Sequence, residues 1–322
     1  MATKTWWSVL VPAAAIVASC GEAPTASQDD TATNNRSVDS GAADAAASSA
    51  LPVVQTVNYP LAYFAERIAG DLTDVRFLSP EDGDPAFWMP SREAIAEIQS
   101  ADVILANGAT YAKWRGAVSL PASKIVDTSA SFSDSFIEIK DAVVHSHGEG
   151  GEHSHAGTAF TTWLDMTQAR AQAEAVRDAM LGALPGSAEV INANADALLA
   201  DIDALDAEFR SASESLAGVP LVASHPVYQY FSRRYGLNVE SLHWEPEMTM
   251  TAENTAELAE LRETHAAGWM LWEGEPTDAN VAALAGEGVQ SVIIDPCGNR
   301  PGEGDWLSVM RDNVEALRSI QP

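Results

Sequence analysis

Val219-Pro-Leu-Val-Ala-Ser-His-Pro-Val-Tyr-Gln-Tyr-Phe-Ser-Arg-Arg-Tyr235 decides the fold class. Its opening residues form a short apolar run of the length expected for a buried strand, and Tyr228 to Tyr235 carry a helical pattern. Strand therefore passes into helix across only a few residues, with His225 at the junction. Strand-like Leu221 to Ala223 has counterparts at Val53 to Val57, Val75 to Leu78, Val103 to Ala106, Trp269 to Trp272 and Val289 to Ile294, each followed by a turn or a helix start. Such alternation predicts an α/β protein with mostly parallel strands. In open parallel sheets ligands bind beyond the carboxyl ends of the strands. His225 falls at such an end, and so does Asp295, which closes the run Val289 to Ile294.

The middle of the chain sets the organisation. A helical region from Met166 to Ala217 is interrupted at Pro185-Gly186. In its second half Ile191, Leu198, Leu199, Ile202, Leu205, Phe209 and Leu216 recur at three- and four-residue spacing, which gives one apolar face over a long helix. The pattern predicts two lobes, 51–165 and 218–322, joined by linking helices over 166–217. Ahead of them, Lys4, the short apolar run Trp6 to Val17 and the sequence Val17-Ala-Ser-Cys20 resemble the signal and lipobox of a bacterial lipoprotein. The expectation is a signal peptide over 1–19, acylation of Cys20 and tethering at the cell envelope. Residues 20–50 are rich in Ala, Ser, Asp, Thr and Asn, too poor in large apolar side chains to offset ordering entropy, and read as a disordered tether. Acylation leaves Cys297 as the remaining thiol, so no intramolecular disulfide is expected.

Composition narrows the partners. Lys plus Arg number 18 against 46 Asp plus Glu, for a formal net charge of −28. Such a surface repels phosphate backbones and excludes nucleic-acid binding as a function; it suits cation capture, and solubility alone would account for it equally well. A Gly-rich phosphate loop, a Gly-x-Ser-x-Gly elbow and a His-Glu-x-x-His helix are all missing from the sequence, so the chain is not read as an enzyme. Glu273 and Glu275 read as loop carboxylates, Cys297 as a small buried side chain, and the tryptophans as core.

One segment carries metal chemistry on its face. His145-Ser-His-Gly-Glu-Gly-Gly-Glu-His-Ser-His155 holds four of the seven histidines. Neutral imidazole ligates zinc, copper and nickel, and the intervening Gly and Ser let the rings turn toward one ion. His145, His147, His153 and His155 are therefore candidate ligands beside His225 and Asp295. The other reading is a polar loop that takes up metal weakly.

Several stretches, in this order, resemble the substrate-binding lipoproteins of metal-uptake ABC transporters, a group with zinc- and manganese-binding members. They are Asn58-Tyr-Pro-Leu-Ala-Tyr-Phe-Ala-Glu-Arg-Ile-Ala-Gly70, Ala101-Asp-Val-Ile-Leu-Ala-Asn-Gly108, Trp163-Leu-Asp165, Ser224-His225-Pro-Val-Tyr-Gln-Tyr-Phe231, Asp295-Pro-Cys-Gly298 and Met310-Arg-Asp-Asn-Val-Glu-Ala-Leu317. The resemblance implies two α/β lobes bridged by a long rigid helix, with the metal in the inter-lobe cleft. It also implies a monomer that delivers its ion to a membrane permease, or, on the same fold, an adhesin or metal chaperone. Of the ligand positions it implies, His225 and Asp295 match. Two depart: Ala86 and Thr161 stand where imidazoles are usual. Three completions follow. The histidine loop supplies the missing rings, chiefly His153 and His155; or Glu81, Asp82 or Asp84 with His243 builds a site richer in oxygen; or the cleft has lost metal binding or takes a metal complex. His at position 225 favours zinc over manganese, and neutral imidazole ligation predicts affinity that falls as pH drops through about 6–7.

Overall fold

A computed structural model describes residues 50–81, 83–139 and 157–321, together with the backbone of 144–146 and 152–154. The expected signal peptide, Cys20 and the tether lie outside the described residues, as do Asp82, His147 and His155.

The first lobe is built on a parallel sheet of β1 (Val53–Thr56), β2 (Asp74–Phe77), β3 (Val103–Ala106) and β4 (Ile125–Asp127), in the order β2-β1-β3-β4. Between β1 and β2 runs α1 (Tyr59–Ala69), and α2 (Arg92–Ser100) precedes β3. Local chemistry sets the limits of α1. The Asn58 side chain accepts from the Leu61 N–H, Pro60 occupies the first turn, and Gly70 ends the helix at φ 53°. Two short antiparallel pairs follow: β5 (Glu138–Ile139) with β8 (Gly157–Thr158), and between them β6 (Val144–Ser146) with β7 (Glu152–Ser154).

α3 (Met166–Ala183) starts at Asp165, whose carboxylate accepts from the Thr167 N–H. The chain turns over Leu184–Ser187, and α4 (Ala188–Ser213), about 39 Å long at 1.5 Å per residue, packs back along α3. The stripe expected from the sequence is the buried face of α4, with Ile191, Leu198, Leu199, Ile202, Leu205 and Phe209 all in the core. This face meets α1 of the first lobe and, at the chain's end, α8 (below), so the long helix is packed along its length.

The second lobe repeats the first. β9 (Pro220–Ala223), α5 (Gln229–Tyr235), β10 (Asn238–Ser241), α6 (Ala252–Thr264), β11 (Trp269–Trp272), α7 (Asp278–Gly286), β12 (Gln290–Ile293) and α8 (Trp306–Ser319) give a parallel sheet ordered β10-β9-β11-β12. A continuous apolar core runs from Val54 to Ile320 through both sheets and the linking helices. A satellite cluster around Trp244, Leu258, Met270 and Trp272 fills the far side of the second sheet. Among the described residues no helix is long and apolar enough to cross a membrane.

Candidate metal centre

Each strand of the second sheet ends in a residue able to bind a cation. In the spatial order β10-β9-β11-β12 they are Glu245, His225, Glu273 and Asp295. Parallel strands carry their carboxyl ends to one edge, so four residues scattered over seventy positions of sequence become neighbours. Backbone bonds fix the turns that follow: the Ser224 N–H donates to Leu271 O, and the Trp244 N–H to Ser224 O.

His225 is at the centre and only 4% exposed. Its Nδ1 lies 3.2 Å from Glu245 Oε1 and 3.5 Å from Glu273 Oε1. One ligand atom from each of the three residues falls within 4.8 Å of the others. Donors about 2.1 Å from a tetrahedral zinc are about 3.4 Å apart, so this spacing fits one imidazole and two carboxylates around a single divalent ion. A second ring, His243, stands with its centroid 5.9 Å from that of His225.

Electrostatics favour a cation here. Burial pushes the Glu273 carboxyl well above its ordinary range, and the nearby Glu245, Asp84 and Asp295 push it further. Burial lowers His243, against the opposing pull of Glu257 and Glu245. At the mouth, burial and Glu245 raise Asp84 to about 6 while the Ala86 N–H bond holds it back. Asp84 is the more solvent-exposed of these groups, so water screens part of that effect.

Asp295 lines the same cavity but lies outside the three-donor cluster. Burial raises its carboxyl, against a bond from the Cys297 N–H, and Asn313 clamps its backbone from both sides. Cys297 is 2% exposed, burial pushes its thiol up, and it sits in the core as the sequence suggested.

The cavity measures about 730 Å³, and its opposite wall comes from the first lobe: Phe87, Trp88, Tyr111, Phe160 and Trp163. Two groups of bonds close the lobes on each other. Trp163 Nε1–H donates to Pro296 O at 2.7 Å and the Tyr59 N–H to Gly298 O at 3.0 Å. The Asn299 amide donates to the carbonyls of Pro80, Glu81 and Gly83. Ala86 is buried, and the Thr161 hydroxyl is turned to the Val227 carbonyl.

Of the residues expected to bind metal, His225 sits in the cluster and Asp295 beside it. His145 and His153 face each other in the β6–β7 register, with side chains outside the described set. Glu245 and Glu273 were not expected as ligands. The signal that marked His225 and Asp295, a polar residue just past an apolar run, applies to Glu273 as well. It fails for Glu245, because β10 is not an apolar run.

A family model described as ZnuA, zinc-uptake complex component A, periplasmic, matches residues 53–320. The zinc-binding lipoprotein AdcA of Streptococcus pneumoniae (strain TIGR4) is 25% identical over 284 residues, covering 82% of this chain and 55% of its own. The chain thus spans about half the length of AdcA. The high-affinity zinc uptake system protein ZnuA of Bacillus subtilis is 26% identical over 334 residues, covering 98% of this chain and 97% of its own. Among solved structures, Zn(II)-bound AdcA of Streptococcus pneumoniae has the same fold, with a TM-score of 0.70 at 23% identity over 84% of this chain and 57% of that one. So does the metal-dependent lipoprotein YcdH of Bacillus subtilis, with 0.70 at 21% identity over 83% and 98%.

Proposed function

The chain belongs to the family of periplasmic zinc-uptake component A, and from that premise we propose that it captures a zinc ion outside the cytoplasmic membrane and delivers it to an ABC-type permease. His225, Glu245 and Glu273 hold the ion, and Asp295 lends negative charge beside them. One observation carries this: three donor atoms within 4.8 Å at the floor of a deep cleft, on the carboxyl edge of a sheet. Two carboxylates make the set richer in oxygen than an all-histidine site, and the names of the relatives favour zinc over manganese. His145, His147, His153 and His155 collect further ions more weakly, on a segment that is followed in sequence by β8 and then by Phe160 and Thr161 of the cavity wall. Acylated Cys20 keeps the single chain at the envelope, close to its permease.

Competition against a chromophoric chelator tests this on the full chain. The expected result is one tight zinc per chain, weakened on the order of 100-fold by His225→Ala. Replacing His145, His147, His153 and His155 together by Ser removes only weaker, additional zinc. A wild-type chain with no tight site rejects zinc capture.

A further inference from the structure

Two strands of the first lobe, β5 and β8, flank the histidine segment in sequence and pair in antiparallel register, Glu138 opposite Thr158 and Ile139 opposite Gly157. The next pair in that register is Ile137 with Ala159. In a hydrogen-bonded antiparallel pair the two residues exchange both backbone bonds. Here one bond is direct, from the Ala159 N–H to Ile137 O at 2.9 Å. The other passes through a side chain of the second lobe: the Ile137 N–H donates to the Tyr230 hydroxyl at 3.2 Å, and that hydroxyl donates to Ala159 O at 2.8 Å. Tyr230, wholly buried on α5, thus stands inside a ladder of the other lobe, where a bridging water would otherwise serve. Unlike a water, a tyrosine hydroxyl moves only with its helix.

The neighbours of Tyr230 strengthen this junction. Arg233 lies over the Tyr230 ring at 5.0 Å and donates to Ser135 O at 2.6 Å. The Thr161 hydroxyl bonds to Val227 O. Both arms, 135–139 and 157–161, are therefore fastened to residues 227–233. That stretch follows directly on the metal ligand, since Tyr230 is five positions on from His225. The turn between them is pinned too: the Val227 N–H donates to His225 O at 2.9 Å, and the Tyr228 hydroxyl donates at 2.8 Å to Ile294 O, one residue before Asp295.

Resting on the zinc-capture reading, we propose that Tyr230 is a positioning residue for metal capture, whose hydroxyl couples occupation of the site at His225 to the order of 135–139 and 157–161. The second of these arms carries Phe160 and Thr161 of the cavity wall. An ion that fixes His225 fixes the start of α5, and the hydroxyl passes that constraint to both strands at once. Linkage is reciprocal, so a ladder without the hydroxyl loosens the wall beside the ion and the ion leaves sooner.

The test is hydrogen exchange on the full chain, zinc-free and at one fixed free-zinc concentration, with zinc release followed in a chelator chase. In wild type, zinc should slow exchange over 135–139 and 157–161. Tyr230→Phe, which removes only the hydroxyl, should lose that slowing while keeping the slowing of β9 and β11, and should release zinc roughly fivefold faster. Tyr235→Phe, which loses a hydroxyl bonded to Asp206 on α4, should behave as wild type in both respects. A purely structural hydroxyl speeds exchange equally with and without zinc. Slowing retained in Tyr230→Phe, or zinc release at the wild-type rate, therefore overturns the proposal. Loss of the slowing in Tyr235→Phe overturns it as well, because any weakening of α5 would then do the same. Should Tyr230→Phe fail to fold, Arg233→Gln decides: without its bond to Ser135 it should lose part of the slowing, and full slowing overturns the proposal. Tight zinc in wild type with unchanged exchange over both arms overturns it and leaves zinc capture standing. A wild-type chain that binds no zinc tightly rejects zinc capture itself.

Discussion

Glu273 shows how one residue divides its energy between folding and binding. Its side chain is 22% exposed, and its carboxyl, among other carboxylates, is held well above the ordinary range first by burial. A carboxyl with a raised folded-state pKa stabilises the fold fully below its unfolded value, here 4.5, and loses that contribution as pH rises through the folded value. The metal-free chain is therefore expected to lose part of its stability as pH climbs above that range. Zinc, which needs the ionised form, restores it. Thermal melts with and without zinc should show a larger zinc-dependent rise in Tm at pH 7.5 than at pH 5. In Glu273→Gln the metal-free Tm at pH 7.5 should rise while zinc affinity falls on the order of 100-fold. A lower metal-free Tm would mean that Glu273 is held by bonds rather than by the ion. In sequence Glu273 differs from Glu275 only in directly following the apolar run Trp269 to Trp272. Burial separates them, and burial belongs to the fold.

α4 is the element where sequence and packing agree most closely, because a long apolar stripe can be buried only by continuous packing. Its polar side is tied down too. Asp206 receives two bonds from Arg234 of α5, at 2.9 and 2.6 Å, and one from the Tyr235 hydroxyl. Burial alone would raise the Asp206 carboxyl, but Arg234 and Arg210 hold it below its ordinary value of 3.8. The contribution is thus present above that value and lost as pH falls through the lower folded one. Asp206→Asn should cost about 1–3 kcal/mol in urea unfolding at pH 7, and the difference from wild type should shrink below about pH 3.5. A constant difference across that range would assign the cost to packing. Two strands of the parallel sheets escape a reading from sequence, β4 and β10. Each is an edge strand with one neighbour, and neither contains a fully buried residue. Edge strands need little hydrophobicity, so they leave only a faint pattern.

At the scale of the whole molecule, the cleft depends on how firmly the lobes are joined. The Asn299 amide, bonded to three carbonyls of the 80–83 segment, and the Trp163 indole, bonded to Pro296, hold the Asp295–Asn299 turn of the second lobe against the first. Asn299→Ala should speed hydrogen exchange over 79–90, and zinc should dissociate several-fold faster while its association rate stays within about twofold. Unchanged exchange over 79–90 would show that the Trp163 and Tyr59 bonds suffice to close the cleft.

The sequence by itself determined the α/β class, the central strands, the long apolar helix, the acidic balance, and His225 as a residue at a strand end. All of these rest on periodicity or local composition, which neighbouring residues carry between them. Only the tertiary structure decided that Glu245 and Glu273 join His225, that Asp295 stands just outside their cluster, and that a wall of aromatic rings faces them across a large cavity. Those facts depend on which strands lie side by side and on what burial does to a carboxylate, and a linear sequence records neither.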